Sequence, residues 1–260
     1  MNQFSTLALQ RPSPGTALLT LNRAAALNAI NSSMRKELAT VLRQMATDDS
    51  VRIVVINGEG RAFSAGADLK DDIEQLDINE VLMNEYKPSF DAIITMNKPV
   101  ISVVTGLAAG IGLSLALVCD LTVMADDAFL LCPFSTISLI PDGGANFLLA
   151  RQLGYRRAYQ MAIEAERLPA TEALRLGLVN RLAPADHALE DALAWADELA
   201  QRAPLALART KEAMRFALGH TYDETYRREA ELQAACFASD DFSEGRSAFV
   251  EKRAPRFSGK

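Results

Sequence analysis

The chain has 260 residues, of which 49% are apolar, with a formal net charge of −6 and three cysteines. That length exceeds the usual single domain, so one large domain or a domain with an appendage is expected. The acidic balance, without clustered Lys and Arg, argues against a nucleic-acid surface, and the scattered Cys119, Cys132 and Cys236 indicate free thiols in a reducing, cytoplasmic compartment rather than a disulfide framework or metal site.

In chain order, 4–9 and 16–21 read as strands around the turn Pro12-Ser13-Pro14-Gly15. No basic-then-apolar signal stands in residues 1–10. Asn31 or Ser32 can cap a helix reaching Thr47, with Met34, Leu38, Val41, Leu42 and Met45 on one face. Residues 51–57 form a continuous apolar strand, the pattern of a sheet covered on both sides. A small-residue turn, Phe63-Ser64-Ala65-Gly66-Ala67-Asp68-Leu69-Lys70, follows, then an acidic, mobile helical segment over 70–87.

Residues 99–119 carry no charge and are long enough to cross a bilayer. The run divides into a β-branched strand (99–104), a second small-residue turn (106–112) and a helix (113–118), so a buried strand feeding a buried helix is expected, with no membrane partner. Short strands are predicted over 121–125 and 129–131. The repeated strand–turn–helix order is that of an α/β protein with crossover connections.

The second half reads as helical. Pro141-Asp142-Gly143-Gly144 starts one helix, Gly154 the next over 155–163, and Thr171 caps a short one ending near Leu176-Gly177. Longer amphipathic helices are expected over 186–201, 204–218, 222–237 and 240–252, an Ala- and Leu-rich tail of the kind that assembles subunits. The division drawn is 1–195 for the core and 196–260 for a helical oligomerisation region.

The reactive inventory is restrictive. His187 and His220 lie at helix ends, where capping accounts for them. No nucleophile elbow, zinc spacing or Gly-rich dinucleotide fingerprint is present. What remains is backbone electrostatics and three carboxylates, Asp68, Asp120 and Asp142. Strand-to-helix turns leave N–H groups unpartnered, and two such turns facing each other can stabilise negative charge on an acyl oxygen. Asp68 reads best as a helix cap. Asp142, fixed by Pro141 and cleared of bulk by Gly143-Gly144, can equally face a substrate.

At these residues the chain resembles the enoyl-CoA hydratase/isomerase (crotonase) superfamily over nearly its whole length. The resemblance is carried, in order, by Asn22-Arg23 with Leu27-Asn28-Ala29, by 62–70, by 106–120, by 141–144, by Ala173 with 176–179, and by Glu244-Gly245, Phe249 and 251–253. It implies a crotonase-like spiral of stacked ββα units with a C-terminal helical trimerisation region, as a homotrimer or a hexamer built as a dimer of trimers. It further implies a substrate carried as a coenzyme A thioester, no permanently bound cofactor and no metal.

By position, the resemblance assigns the thioester oxygen to the N–H groups of Ala67 and Ile111. Arg23, Leu27, Ala29, Ala65, Gly66, Asp68 and Leu69 are assigned to substrate binding, with 22–29 as a CoA-contact segment, Ala65 against the adenine and Arg23 near the phosphates. Leu107, Gly110, Phe134 and Ile137 are likewise assigned to substrate binding, and Phe249 and Lys252 reach a neighbouring subunit's CoA. Typical hydratases carry two glutamates where this chain has Ser114 and Phe134, neither able to ionise near neutral pH. The one-aspartate isomerase branch is the better match, with Asp142 shuttling a proton and Phe134, Leu107 and Ile137 keeping the site dry. Two rivals remain: a hydratase using Asp142 alone, or another residue such as Glu85, and an acyl-CoA-binding protein without turnover.

Overall fold

The computed structural model describes residues 4–71 and 77–260; the stretch 72–76 of the expected mobile segment, and residues 1–3, lie outside the described residues. Two sheets organise the chain. The larger has the strand order β1 (Leu7–Ser13), β2 (Gly15–Leu21), β3 (Val51–Gly58), β4 (Val100–Val104), β6 (Leu121–Ala125) and β9 (Arg181–Ala183). Only β1 is antiparallel to its neighbour. The smaller has the order β5 (Leu107–Ala109), β7 (Phe129–Leu131) and β8 (Leu168–Pro169).

The apolar runs explain the larger sheet. All five residues of β4 are buried, and β3 exposes no residue fully, as a parallel strand covered on both faces requires. On one side lies α1 (Ser32–Thr47), capped by the Asn31 side chain accepting the Met34 N–H at 3.0 Å. Its buried stripe holds the five expected apolar residues and one cation, Arg35. On the other side α8 (Ala188–Ala200) lays Ala188, Ala192, Ala196 and Ala200 against the sheet. Small residues four apart let its backbone come close to the strands. The expected division between 195 and 196 falls inside this helix.

Several expected bounds shift. β1 starts at Leu7 and runs through Pro12 to Ser13, where its register with β2 is irregular; on an edge strand the missing Pro12 N–H costs no ladder bond. The acidic segment contains α2 (Ile78–Val81), a π-helical turn Leu82–Tyr86 and α3 (Lys87–Thr95). The first small-residue turn does not feed a helix: Ile30 and Ala67 form an isolated parallel bridge there instead.

The second turn is a strand, β5, followed directly by α4 (Ile111–Val118), every residue of which is buried. Asp142 does not start a helix, because Gly144 is the cap of α5 (Ala145–Leu153). Beyond it lie α6 (Tyr155–Glu164) and α7 (Ala170–Arg175), and Thr171 stands inside α7 rather than capping it. The tail consists of α9 (Pro204–Ala217), α10 (Tyr222–Phe237) and α11 (Asp240–Glu251). It is tied to the core through α9: Lys211 Nζ donates to the carbonyls of Ile93 and Lys98 and pairs with Asp120, and Arg215 pairs with Asp120 and donates to the Val118 carbonyl.

The two small-residue turns abut. Ser64 bridges Ala108, the Ser64 carbonyl accepts the Ala109 N–H at 2.9 Å, and the Leu107 carbonyl accepts the Ser64 N–H at 3.2 Å. Gly112 has little room to spare, since a Cβ there would lie 2.7 Å from both Cβ and Oγ of Ser64. Gly112→Ala is therefore expected to lower stability by about 1–3 kcal/mol, the usual cost of overpacking. A urea midpoint equal to that of the unaltered chain would show that the two turns can separate freely.

Candidate active site

The cavity bordered by both turns measures about 370 Å³. From the first turn come Ala65, Gly66, Ala67, Asp68 and Leu69; from the second, Gly110 and Ile111. Phe134 and Ile137 stand on a 3-10 turn (Phe134–Ile137), and Asp142 follows it. Ten of the residues singled out from sequence therefore share one wall.

Gly66 has φ +100, and a Cβ on it would come within 2.9 Å of the Ala109 carbonyl oxygen, so only glycine lets the turns approach this closely. Neither the Ala67 nor the Ile111 N–H donates to an acceptor among the described residues. The Ile30–Ala67 bridge uses the Gly66 carbonyl and the Asp68 N–H, which leaves the Ala67 N–H out of the ladder. Ile111 opens α4, and a first helical N–H has no partner within its helix.

Asp142 is the anomalous acid. Its Oδ1 is buried without a hydrogen-bond partner among the described residues, and burial raises its pKa to about 6, because removal from water disfavours the charged form. Its backbone is pinned: the carbonyl accepts from the Ser114 hydroxyl at 2.8 Å and from the Ala145 N–H at 3.0 Å. A Cβ on Gly143 would lie 2.9 Å from Ser114 Cβ, so the 141–144 turn packs directly on α4. Ser114 thus holds the turn that carries the acid.

The other carboxylates are spent. Asp68 does not cap a helix. Its Oδ1 accepts the Lys70 N–H at 3.1 Å, and Oδ2 pairs with Arg23 at 2.8 Å. Burial alone would raise its pKa, but Arg23 and the Lys70 N–H outweigh that and hold it below the ordinary value. Asp120 binds Lys211, Arg215 and the Val100 N–H. Glu85 pairs with Arg35 at 2.6 Å and does not line the cavity.

Six expected site residues stand outside this cavity. Arg23, Leu27 and Ala29 buttress the first turn from behind: the Leu27 carbonyl accepts the Ala65 N–H at 2.9 Å, and Arg23 donates to the Ala29 carbonyl. Asn28 ties them to the chain through the Glu59 and Ala62 carbonyls. Leu107, expected to keep the site dry, is committed to β5. Phe249, 85% exposed, and Lys252 lie at the end of α11.

His187 and His220 are exposed and bonded to Glu190 and to the Phe216 carbonyl, respectively. The Cys132 thiol is pushed up to about 11 by burial and then by the Asp142 charge, which leaves it protonated. A larger cavity of about 570 Å³ lies among α9, α10 and α11. Its buried acid, Asp241, is already bound by the N–H groups of Ser258 and Gly259, so the chemistry favours the smaller one. Among the described residues no cluster of His, Cys, Asp and Glu could hold a metal, and no helix is long and apolar enough to cross a membrane.

Sequence reasoning passed over Arg35 and Tyr86, which also line the cavity. The signal for Arg35 was available: it sits three residues before Leu38 and seven before Leu42 on the buried face of α1, where a cation needs a reason. Tyr86 carried no such mark, because an aromatic residue in an apolar stripe is ordinary core.

A family profile described as enoyl-CoA hydratase/isomerase matches residues 12–260. A Rhodobacter capsulatus protein named a probable enoyl-CoA hydratase is 39% identical, with 95% of this chain and 96% of that one covered. The Escherichia coli 1,2-epoxyphenylacetyl-CoA isomerase is 35% identical over 95% of this chain and 96% of its own. A Geobacillus kaustophilus crystal structure described as an enoyl-CoA hydratase subunit superposes with a TM-score of 0.94 at 33% identity, covering all of both chains.

The Asp142 carboxyl has a testable thermodynamic signature. Its folded pKa of about 6 exceeds the ordinary 3.8, so the folded state holds the proton more tightly than the unfolded chain. Its contribution is fully present below pH 4 and is lost as pH rises through 6, at about 2–3 kcal/mol for a shift of this size. Asp142→Asn should remove that slope, so that the stability difference from the unaltered chain grows between pH 4 and 7. Parallel denaturation curves across that range would show an unshifted carboxyl.

Proposed function

Because this chain belongs to the enoyl-CoA hydratase/isomerase (crotonase) family and carries its fold, we propose that it moves the double bond of an enoyl-CoA by a proton shuttle centred on Asp142. The carrying observation is that Asp142 is the one cavity-lining carboxylate without a cationic partner among the described residues, beside two facing turns that each present an unspent N–H.

The Ala67 and Ile111 N–H groups bind the thioester oxygen and stabilise the dienolate that forms as a proton leaves the acyl chain. One such donor is worth about 10²–10³ in rate. Asp142 takes the proton and returns it to a neighbouring carbon on the same face. Its raised pKa suits the task, since a base is most effective when its pKa lies near the working pH. Phe134, 6% exposed, walls the site on the acyl side. Ser114 and Phe134 stand at the two glutamate positions of typical hydratases, which leaves water activation by a carboxylate pair without its second acid.

Arg23, bound to Asp68, shapes the CoA side by holding the first turn. Ala65 serves the adenine, and Phe249 and Lys252 a neighbouring subunit's CoA. The exposed apolar side chains Met214, Leu218, Phe237, Phe249 and Val250 of the tail support assembly through α9–α11 as a trimer or hexamer. Three free thiols suit a reducing, cytoplasmic compartment. The rival reading, hydration of a 2-enoyl-CoA, is favoured by the name of the 39% identical relative.

A 3-enoyl-CoA should isomerise with a rate that rises through pH 6 to a plateau, since the ionised carboxylate is the active form. Asp142→Asn should lower that rate by about 10²–10⁴ while acyl-CoA binding persists by calorimetry. Crotonyl-CoA should keep its conjugated-thioester absorbance on incubation with the protein. Hydration of crotonyl-CoA at a rate exceeding isomerisation would establish the rival. Binding without either reaction, and without solvent deuterium entering the acyl chain, would establish a non-catalytic carrier.

A further inference from the structure

The acyl end of the cavity is apolar apart from one corner. Leu69, Ile78, Val81, Leu82, Phe134 and Leu139 supply its hydrocarbon surface. Into the same cavity the π-helical turn brings Tyr86, which is 6% exposed. The acceptor for its hydroxyl among the described residues is the Ile30 carbonyl at 3.4 Å, well beyond the roughly 2.7–2.8 Å of a normal O–H···O bond. The Asp142 carboxylate raises the pKa of this phenol, so the hydroxyl senses the acid that lines the same space. A buried hydroxyl with its donor barely used is costly to cover with hydrocarbon, because it loses water and gains no partner.

Resting on the acyl-CoA reading above, we propose that the cavity selects acyl groups bearing an uncharged oxygen (a carbonyl, hydroxyl or ether) and that Tyr86 donates the hydrogen bond that selects them. Two features fix the class. Burial first, then the Asp142 charge, push the phenol up to about 12 against the opposing pull of Arg35, so it acts as a donor and never as a phenolate. Arg35 does not invite an anion: its guanidinium, 5.2 Å above the Tyr86 ring, already pairs with Glu85 at 2.6 Å and Asp71 at 3.4 Å. With Asp142 in the same wall, the corner carries more carboxylates than cations, and a carboxylate-tipped acyl chain is repelled. Sites built to hydrogen-bond an oxygen discriminate strongly against analogues that lack it, since the site's own polar group is then stranded.

The experiment is calorimetric binding of unreactive saturated thioesters: hexanoyl-CoA, its 3-, 4- and 5-oxo forms, and adipyl-CoA. At least one oxo form should bind tenfold or more tightly than hexanoyl-CoA, and adipyl-CoA more weakly than that oxo form. Tyr86→Phe, which removes only the hydroxyl, should bring the oxo-to-hexanoyl ratio to within twofold of unity. Equal affinity for all chains in the unaltered protein overturns the proposal without needing the variant. So does a preference that survives Tyr86→Phe, or equal weakening of every thioester by it, which would mark a packing role. Failure of every thioester to bind would overturn the acyl-CoA reading and this proposal with it.

Discussion

The closeness of two backbone turns is the constraint on which the site depends. Gly66 and the Ala109 carbonyl meet at a separation that leaves no room for a Cβ, and the Ser64–Ala108 bridge locks the approach in register. If the turns parted, Ala67 and Ile111 would no longer line one cavity. Two features hold them together. β5 lends its carbonyls to the first turn and its C-terminal end to α4, and the 23–29 segment supports that turn from outside through the Leu27 carbonyl. Residues expected to touch ligand thus act on the site by fixing the backbone that borders it.

Charge pairing isolates one acid. Asp68, Asp71, Glu85 and Asp120 each have a cation at salt-bridge distance. Exposed pairs of this kind add little stability, but a carboxylate committed to a neighbouring cation is not free for the chemistry. Among the described residues Asp142 has no cation and its buried Oδ1 no partner, and its pKa is raised. The fold bears that destabilised group because its backbone is anchored by Ser114 and by the start of α5. The Ser114 hydroxyl, bonded to the Asp142 carbonyl, contributes position rather than a proton.

The same separation of roles runs through α9. Lys211 and Arg215 neutralise Asp120 and occupy carbonyls at the end of α3, before β4 and at the end of α4. The helical tail is thereby coupled to the buried helix whose first residue, Ile111, borders the cavity, although none of the tail's residues line it.

Residue order alone determined the alternation of strand and helix, the buried character of β3, β4 and α4, the apolar face of α1 and the bounds of α10, and it singled out Asp142, which lines the cavity. Each depends on periodicity, capping or composition within a short window, and those signals are local. Sequence did not reveal that 107–109 is a strand, that Asp68 pairs with Arg23, that Leu107 does not line the cavity, or that Arg35 and Tyr86 do. Those outcomes depend on which segments meet across long separations in the chain. A three-residue strand has no periodicity of its own and exists because β7 and the first turn offer it partners, and a carboxylate's role is decided by the cation that tertiary packing places beside it or withholds.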